Sequence, residues 1–372
     1  MSDTARPLLL TPYKLGGLTL PNRVVVSPMC QYSAEEGSAT DWHMIHLGSL
    51  ALANAGLVVI EATAVEAQGR ITPGDLGLYN DANEKALGRV LDACRRWGNS
   101  PIAIQIAHAG RKASAQVPWA GGLALKSEEG AWETSAPSAI PFAEGWHRPK
   151  ALDREGLKRI REAFAATARR ADRIGIDAAE IHGAHGYLLH EFLSPLSNHR
   201  EDDYGGSLQN RMRFPLEVAA AVREAWPAEK PLGARITGSD WMEGGLVPGD
   251  AVAFTRELQK LGYDYVCVSS GGNASQARIK LEPGYQVPFA AKVKAETGIA
   301  TRTVGLIAGA QQAEDILQAG KADMVALARA FLDDPHWVWH AAEALGAEPP
   351  EYVRQYLRSA AKVWPGARLL RG

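Results

Sequence analysis

The chain has 372 residues, of which 46% are hydrophobic and 22% charged, the balance of a globular protein rather than a disordered one. Lys plus Arg number 40 and Asp plus Glu 42, so the formal charge of −2 advertises neither nucleic acid nor an anionic membrane as a partner. The three cysteines, Cys30, Cys94 and Cys267, lie far apart, which argues against a disulfide framework, a zinc ribbon and a cysteine-ligated iron–sulfur cluster. No run approaches the apolar length of a transmembrane helix. Residues 1–10 lack the apolar core and cleavage site of a signal peptide. The expectation is a soluble, cytoplasmic protein.

Residues 13–20 read as a hairpin turning at Gly16-Gly17. Short aliphatic runs then alternate eight times with helical periodicity: 23–27, 57–62, 101–106, 177–181, 232–237, 265–269, 303–305 and 324–328. They are nearly continuously apolar, as parallel strands covered on both faces are. After the second run, Leu87, Val90, Leu91, Cys94 and Trp97 share a helical face. Before the fourth, Leu157, Ile160, Phe164, Ala168 and Ala171 do the same. After the fifth, Asp250 reads as the N-cap of a helix carrying Ala251, Phe254, Leu258 and Leu261. Eight such units predict a TIM (β/α)8 barrel forming one domain, 1–372, rather than an open doubly wound sheet. The surplus length falls in the hairpin, in a Gly-, Pro-, Ser- and Trp-rich excursion over 114–149 at the barrel mouth, and in helices and a tail after Pro335.

In such a barrel the active site lies at the C-terminal ends of the strands. There the sequence places Ser27-Pro28-Met29-Cys30-Gln31-Tyr32, Glu61-Ala62-Thr63, Gln105 with His108 and Arg111 beyond it, and His182-Gly183-Ala184-His185-Gly186-Tyr187. Arg235, Ser269-Ser270-Gly271-Gly272, Gly305 and Ala328-Arg329 follow. Polar groups from all eight strands converge on one end, and that convergence points to an enzyme.

His182 and His185 allow three readings. They are two hydrogen-bond donors for a carbonyl or oxyanion, with Tyr187 as proton donor. They are two ligands of a metal-dependent barrel hydrolase, with His190 or Glu191 as the third. Or they cap a helix. Gly305, Gly309 and the helix beginning at Ala328-Arg329 suit a phosphate, unless Arg329 pairs with Asp333 or Asp334. Arg235 sits in an apolar strand and needs a partner. That partner is either a carboxylate such as Glu180 or Asp240, or an electron-accepting ring. Cys94 and Cys267 read as small core residues, whereas Cys30 lies at the active end.

The stretches SPMCQYS, EATAV, GRITPGDLG, QIAHAGRK, IHGAHGYLLHEFLSPLSNHREDDYGGSLQNR and LARAFLDDP resemble the Old Yellow Enzyme family. The Cys-containing SPMC start and the short form resemble its bacterial branch of NADPH dehydrogenases and xenobiotic or ene reductases, and the resemblance runs over about residues 9–358. The resemblance implies a TIM barrel with non-covalent FMN, reduced by NADPH, with NADH as an alternative donor. It implies that Ser27, Pro28, Met29, Cys30 and Ala62 line the flavin, and that Gln105 and Arg235 bond its pyrimidine side. Arg235 would favour the anionic reduced flavin, and Cys30 would tune its potential. Gly305, Ala328 and Arg329 would hold the phosphate, although the family often has Gly where this chain has Ala328. His182 and His185 would bind a carbonyl or nitro oxygen, Tyr187 would donate the proton, and Tyr32 would close over the substrate. A homo-oligomer, dimer or tetramer, is implied if Arg358 or Trp364 reaches a neighbouring site rather than forming an ordinary exposed tail.

Overall fold

The computed structural model of the chain describes residues 6–360 and 362–367. The chain opens on an antiparallel hairpin, β1 (Tyr13–Leu15) and β2 (Leu18–Leu20), with Tyr13 opposite Leu20 as expected. The strands β3 (Val24–Val26), β4 (Leu57–Ala64) and β5 (Ile102–Ala107) follow. After them β6 (Ser135–Ala136) and β7 (Lys150–Ala151) make a small parallel pair of their own within the excursion. Then come β8 (Ala178–Gly183), β9 (Leu232–Thr237), β10 (Tyr265–Ser269), β11 (Ala300–Thr303) and β12 (Met324–Leu327). The eight long-range strands close into one parallel barrel in chain order, β12 returning to β3.

Helices α1 (Asp41–Ala51), α2 (Asp81–Trp97), α3 (Arg154–Arg173), α4 (Leu188–Leu193) and α5 (Leu208–Ala225) wrap the first half. Helices α6 (Pro248–Lys260), α7 (Val287–Thr297), α8 (Ala310–Gln318), α9 (Arg329–Asp333) and α10 (Trp337–Ala344) wrap the second. Side-chain caps set the starts of three. Asn80 accepts from Asn83 N–H at 2.8 Å, Asp153 from Gly156 N–H at 2.8 Å, and Ser207 from Asn210 N–H at 3.3 Å. Two helix details differ from expectation. Pro248 occupies the first turn of α6, so Asp250 sits inside that turn and accepts from Val247 N–H at 3.0 Å. Trp97, the last residue of α2, faces out under Arg96, whose guanidinium lies 5.0 Å from its ring.

One strand was misplaced by the aliphatic pattern. The seventh barrel strand is Ala300–Thr303, not 303–305, because its inward residue is a charged one, Arg302. An ion pair makes that burial tolerable. Arg302 and Glu180, both fully buried, bond across the barrel lumen, and Gln105 Nε2 donates to the same carboxylate at 2.8 Å. Around them Val25, Val59, Ala103, Tyr265 and Cys267 fill the interior. Leu15 and Leu20 belong to the same cluster, so the hairpin plugs the N-terminal end. The plug is close-fitting: a Cβ on Gly17 would lie 2.0 Å from the Glu229 carbonyl oxygen.

The pair yields a prediction. Arg302→Met leaves Glu180 buried without its counter-charge, and the unfolding free energy falls by about 3–5 kcal/mol. Urea denaturation followed by circular dichroism measures it. A loss below about 1 kcal/mol would mean that the pair is dispensable.

Candidate active site

The end of β8 turns sharply. His185 has φ +59° and Gly186 φ +73°. A Cβ on Gly186 would lie 2.2 Å from the Gly272 carbonyl oxygen, so the loop after β8 lies directly against the loop after β10. Lys112, beyond β5, clamps both: its Nζ donates to His185 O at 2.9 Å and to Gly272 O at 3.0 Å. The strain of a histidine in left-handed backbone is thereby held in place.

Three rings meet at this turn. His182 packs edge-on against His185 at 5.0 Å and against Tyr187 at 4.9 Å. Ala184 N–H donates to His182 Nδ1 at 3.3 Å, so the proton of the neutral ring sits on Nε2. Burial, and then the charge of Arg235, hold both imidazoles well below their ordinary pKa. They are neutral donors at physiological pH. Burial, with Cys30, Tyr32 and Asp75 nearby, pushes the Tyr187 phenol well up, so it keeps its proton.

The metal and cap readings lose their partners. His190 is committed elsewhere, its Nδ1 accepting from Gly186 N–H at 2.8 Å and its Nε2 facing Asp240 Oδ1 at 2.8 Å. Glu191 accepts from Arg111 N–H at 2.8 Å. Among the described residues no three His, Cys, Asp or Glu side chains assemble to hold a metal. Helix α4 starts at Leu188 with Tyr187 before it, and neither His182 nor His185 caps it.

Arg235 lies beside the histidines on β9 and is 9% exposed. Its Nε donates to Ser269 Oγ at 3.3 Å. The carboxylates proposed as its partners are taken: Glu180 by Arg302, Asp240 by His190. Among the described residues no carboxylate pairs with Arg235. Arg329 is likewise not paired with Asp333 or Asp334, and Asp334 bonds His340 instead. Ala328 stands at the start of α9, and Gly305 (φ +108°) accepts from Gly284 N–H at 2.9 Å. Gly309 has an ordinary φ of −86° at the start of α8. Ser27 is buried at the end of β3, with Pro28, Met29 and Cys30 following it half-buried. Burial, and then Asp75 and Glu61, push the Cys30 thiol well up, which is the opposite of an activated nucleophile.

The excursion covers this end. Tyr32 meets Trp119 edge-on at 5.7 Å, and Lys112 Nζ lies 4.7 Å from the Phe142 ring. Arg358 and Trp364 are exposed on the tail. That tail begins at the opposite end of the barrel, where Asn54 Nδ2 donates to Glu351 O at 3.0 Å. Two site residues, Lys112 and Trp119, were missed by the sequence reading, and Ser269 was placed at the active end without a role. Lys112 and Ser269 lay in stretches noted for their position, and Trp119 in the excursion. A lysine whose target is a backbone carbonyl leaves no pairing signal in sequence.

The family model of the NADH:flavin oxidoreductase / NADH oxidase family matches residues 8–348. An NADPH dehydrogenase of Geobacillus sp. (strain WCH70) is 45% identical over 341 residues, covering 91% of this chain and 95% of that protein. Morphinone reductase is similar in structure, with a TM-score of 0.75 and 28% identity over 94% of this chain and 92% of its own. Its complex with tetrahydroNAD matches with a TM-score of 0.74 and 29% identity over 93% of each.

Tyr187 and Asp75 line one small cavity with Ala62 and Gly69. Asp75 is buried and accepts from Thr72 Oγ1 at 2.7 Å and Ile71 N–H at 2.8 Å. Burial, the largest influence, pushes its carboxyl up to about 7. The folded chain therefore keeps a proton that the unfolded chain loses near the ordinary carboxylate value of about 3.9. Stability relative to Asp75→Asn falls as pH rises from about 4 to about 7, with a limiting slope of about 1.4 kcal/mol per pH unit. Denaturation curves of both proteins across that range test this, and a flat difference would refute it.

Proposed function

The chain belongs to the NADH:flavin oxidoreductase / NADH oxidase family, and within it we propose an NADPH-dependent ene reductase acting on α,β-unsaturated carbonyl compounds, with nitro compounds as further substrates. It is a flavin-dependent oxidoreductase with FMN as cofactor. The residues fit that group. A guanidinium nine-tenths buried with one protein acceptor among the described residues, Arg235, suits the pyrimidine side of a flavin ring, which carries acceptor oxygens and gains negative charge on reduction. Gln105, its amide bonded to Glu180 through one hydrogen, keeps a carbonyl and a second hydrogen for the same edge. Ser27, Pro28, Met29, Cys30 and Ala62 would line the ring, and Gly305, Ala328 and Arg329 would take the phosphate.

Bound FMN supplies a hydride store between NADPH and the β-carbon of the substrate. The observation that carries the reading is the trio of His182, His185 and Tyr187: two neutral imidazoles and one protonated phenol around a single spot. His182 and His185 donate to the substrate oxygen. As hydride reaches the β-carbon the C=C π pair moves toward that oxygen, and the two donors stabilise the growing charge. Tyr187 then gives its proton to the α-carbon, and the phenolate recovers one from water. Burial of the phenol matters less than its position, since a proton donor acts only within hydrogen-bond reach. Tyr32 and Trp119 form the wall over the substrate. Arg358 and Trp364, exposed on the tail, would meet a second copy in a dimer or tetramer.

The test is anaerobic. NADPH bleaches the visible flavin band, and an enone such as 2-cyclohexenone restores it with one saturated ketone formed per flavin. A band that NADPH bleaches and no enone, maleimide or nitro compound restores would overturn the reading. In Tyr187→Phe the enone half-reaction slows on the order of 10²-fold, while NADPH reduction is much less affected. Equal slowing of both halves, followed by stopped-flow absorbance, would remove Tyr187 as proton donor.

A further inference from the structure

We infer that Ser269 is a positioning residue that sets the tautomer of His185, so that the two histidines present opposite ring nitrogens to the substrate oxygen. The inference rests on the proposed role of the histidine pair and adds to it a residue and an atom assignment.

Ser269 ends β10 and is fully buried. Its Oγ has two polar neighbours. Arg235 Nε lies 3.3 Å away, and His185 Nε2 lies 2.9 Å away. A guanidinium can only donate, so the Arg235 contact occupies a lone pair of Oγ. Two arrangements remain. In the first, Oγ also accepts from a protonated His185 Nε2. Its own hydrogen then has no acceptor among the described residues, and an unsatisfied buried donor costs about 1–3 kcal/mol. In the second, the hydroxyl donates to a bare Nε2, so no hydrogen is stranded at the buried Oγ, and the remaining ring N–H, on Nδ1, is left for a ligand; Nδ1 is not among the buried atoms that lack a partner. The charge of Arg235 favours the second again, because it repels the hydroxyl hydrogen toward the histidine.

With Nε2 bare, the proton of the neutral ring sits on Nδ1. That nitrogen has no protein partner among the described residues. His182 is the mirror case: its Nδ1 is filled by Ala184 N–H and its proton is on Nε2. One ring is therefore fixed by backbone and the other by a serine. The left-handed backbone of His185, clamped by Lys112, turns the ring so that Nε2 reaches Ser269. The chain Arg235–Ser269–His185 also joins the residue proposed to face the cofactor to one proposed to face the substrate.

The experiment combines a direct reading of tautomer with kinetics. In protein labelled with ¹⁵N-histidine, the imidazole spectrum of the FMN-loaded enzyme is expected to show His185 with a protonated Nδ1 and a bare Nε2, and His182 with the reverse, assigned through His185→Asn and His182→Asn. Ser269→Ala mixes the two His185 tautomers. It also slows reoxidation by 2-cyclohexenone on the order of tenfold more than it slows reduction by NADPH, since an oxyanion donor is then misdirected in part of the population. Ser269→Thr, which keeps the hydroxyl, restores both. A protonated Nε2 in the wild-type spectrum would overturn the assignment. So would a Ser269→Ala enzyme that keeps the wild-type ratio of the two half-rates. The spectrum needs no turnover, so failure of the ene-reductase reading and failure of the relay give different results.

Discussion

A positive charge buried without a negative one is the constraint on which this site depends. The Arg302 charge faces the Glu180 carboxylate, and the Asp240 carboxylate is held by His190, Ser194 and Leu246 N–H. Among the described residues, Arg235 is settled only by a serine hydroxyl. A protein keeps such a group when a ligand completes it. The same charge contributes, after burial, to keeping His182 and His185 neutral. On the proposed reading, one residue would mark where the electron-accepting ring binds, and it helps to keep the neighbouring rings neutral hydrogen-bond donors rather than cations.

Neutral donors must also be aimed, and here the backbone is the instrument. His185 sits in a conformation that costs a non-glycine residue about 1–3 kcal/mol. The cost is met by neighbours that converge from different strands. Lys112 from the loop after β5 holds the carbonyls of His185 and Gly272, and Gly186 lets the two loops touch. Burial pushes the Lys112 ammonium down to about 8, close to physiological pH, yet either form can donate to two carbonyls. The clamp therefore does not depend on its charge.

The barrel was legible because eight buried parallel strands leave eight aliphatic runs, and the seventh was shifted because its strand contains Arg302. A charge inside a lumen contradicts the pattern that identifies a strand, and its partner Glu180 lies 122 residues away. Site residues whose chemistry is their own, such as the His182/His185/Tyr187 cluster and Arg235, were visible from position at the strand ends. The roles of those acting on other residues were not. Ser269 and Lys112 work through a ring nitrogen and two carbonyls, and nothing in a linear sequence says which loops will meet. Trp119 was hidden for another reason: an excursion without periodicity carries no register from which its contacts with Tyr32 can be deduced.

The two ends of the barrel divide the work, and the division explains where the surplus length went. The N-terminal end is sealed by the hairpin, whose Leu15 and Leu20 complete the lumen's apolar filling. Nothing there needs to move, and close contacts such as Gly17 against Glu229 are tolerated. The C-terminal end must admit a ligand, so its cover is a long irregular segment held by a few directed contacts: Arg111 Nη1 to Ile140 O at 3.4 Å, and Trp132 Nε1 to Gln68 O at 3.1 Å. Such a cover can change in length and aromatic content without disturbing the strands beneath it. On the proposed reading, selectivity among oxygen-bearing substrates would be set by Trp119, Phe142 and their neighbours, while the histidine pair, fixed from below by β8, β9 and β10, would stay common to all of them.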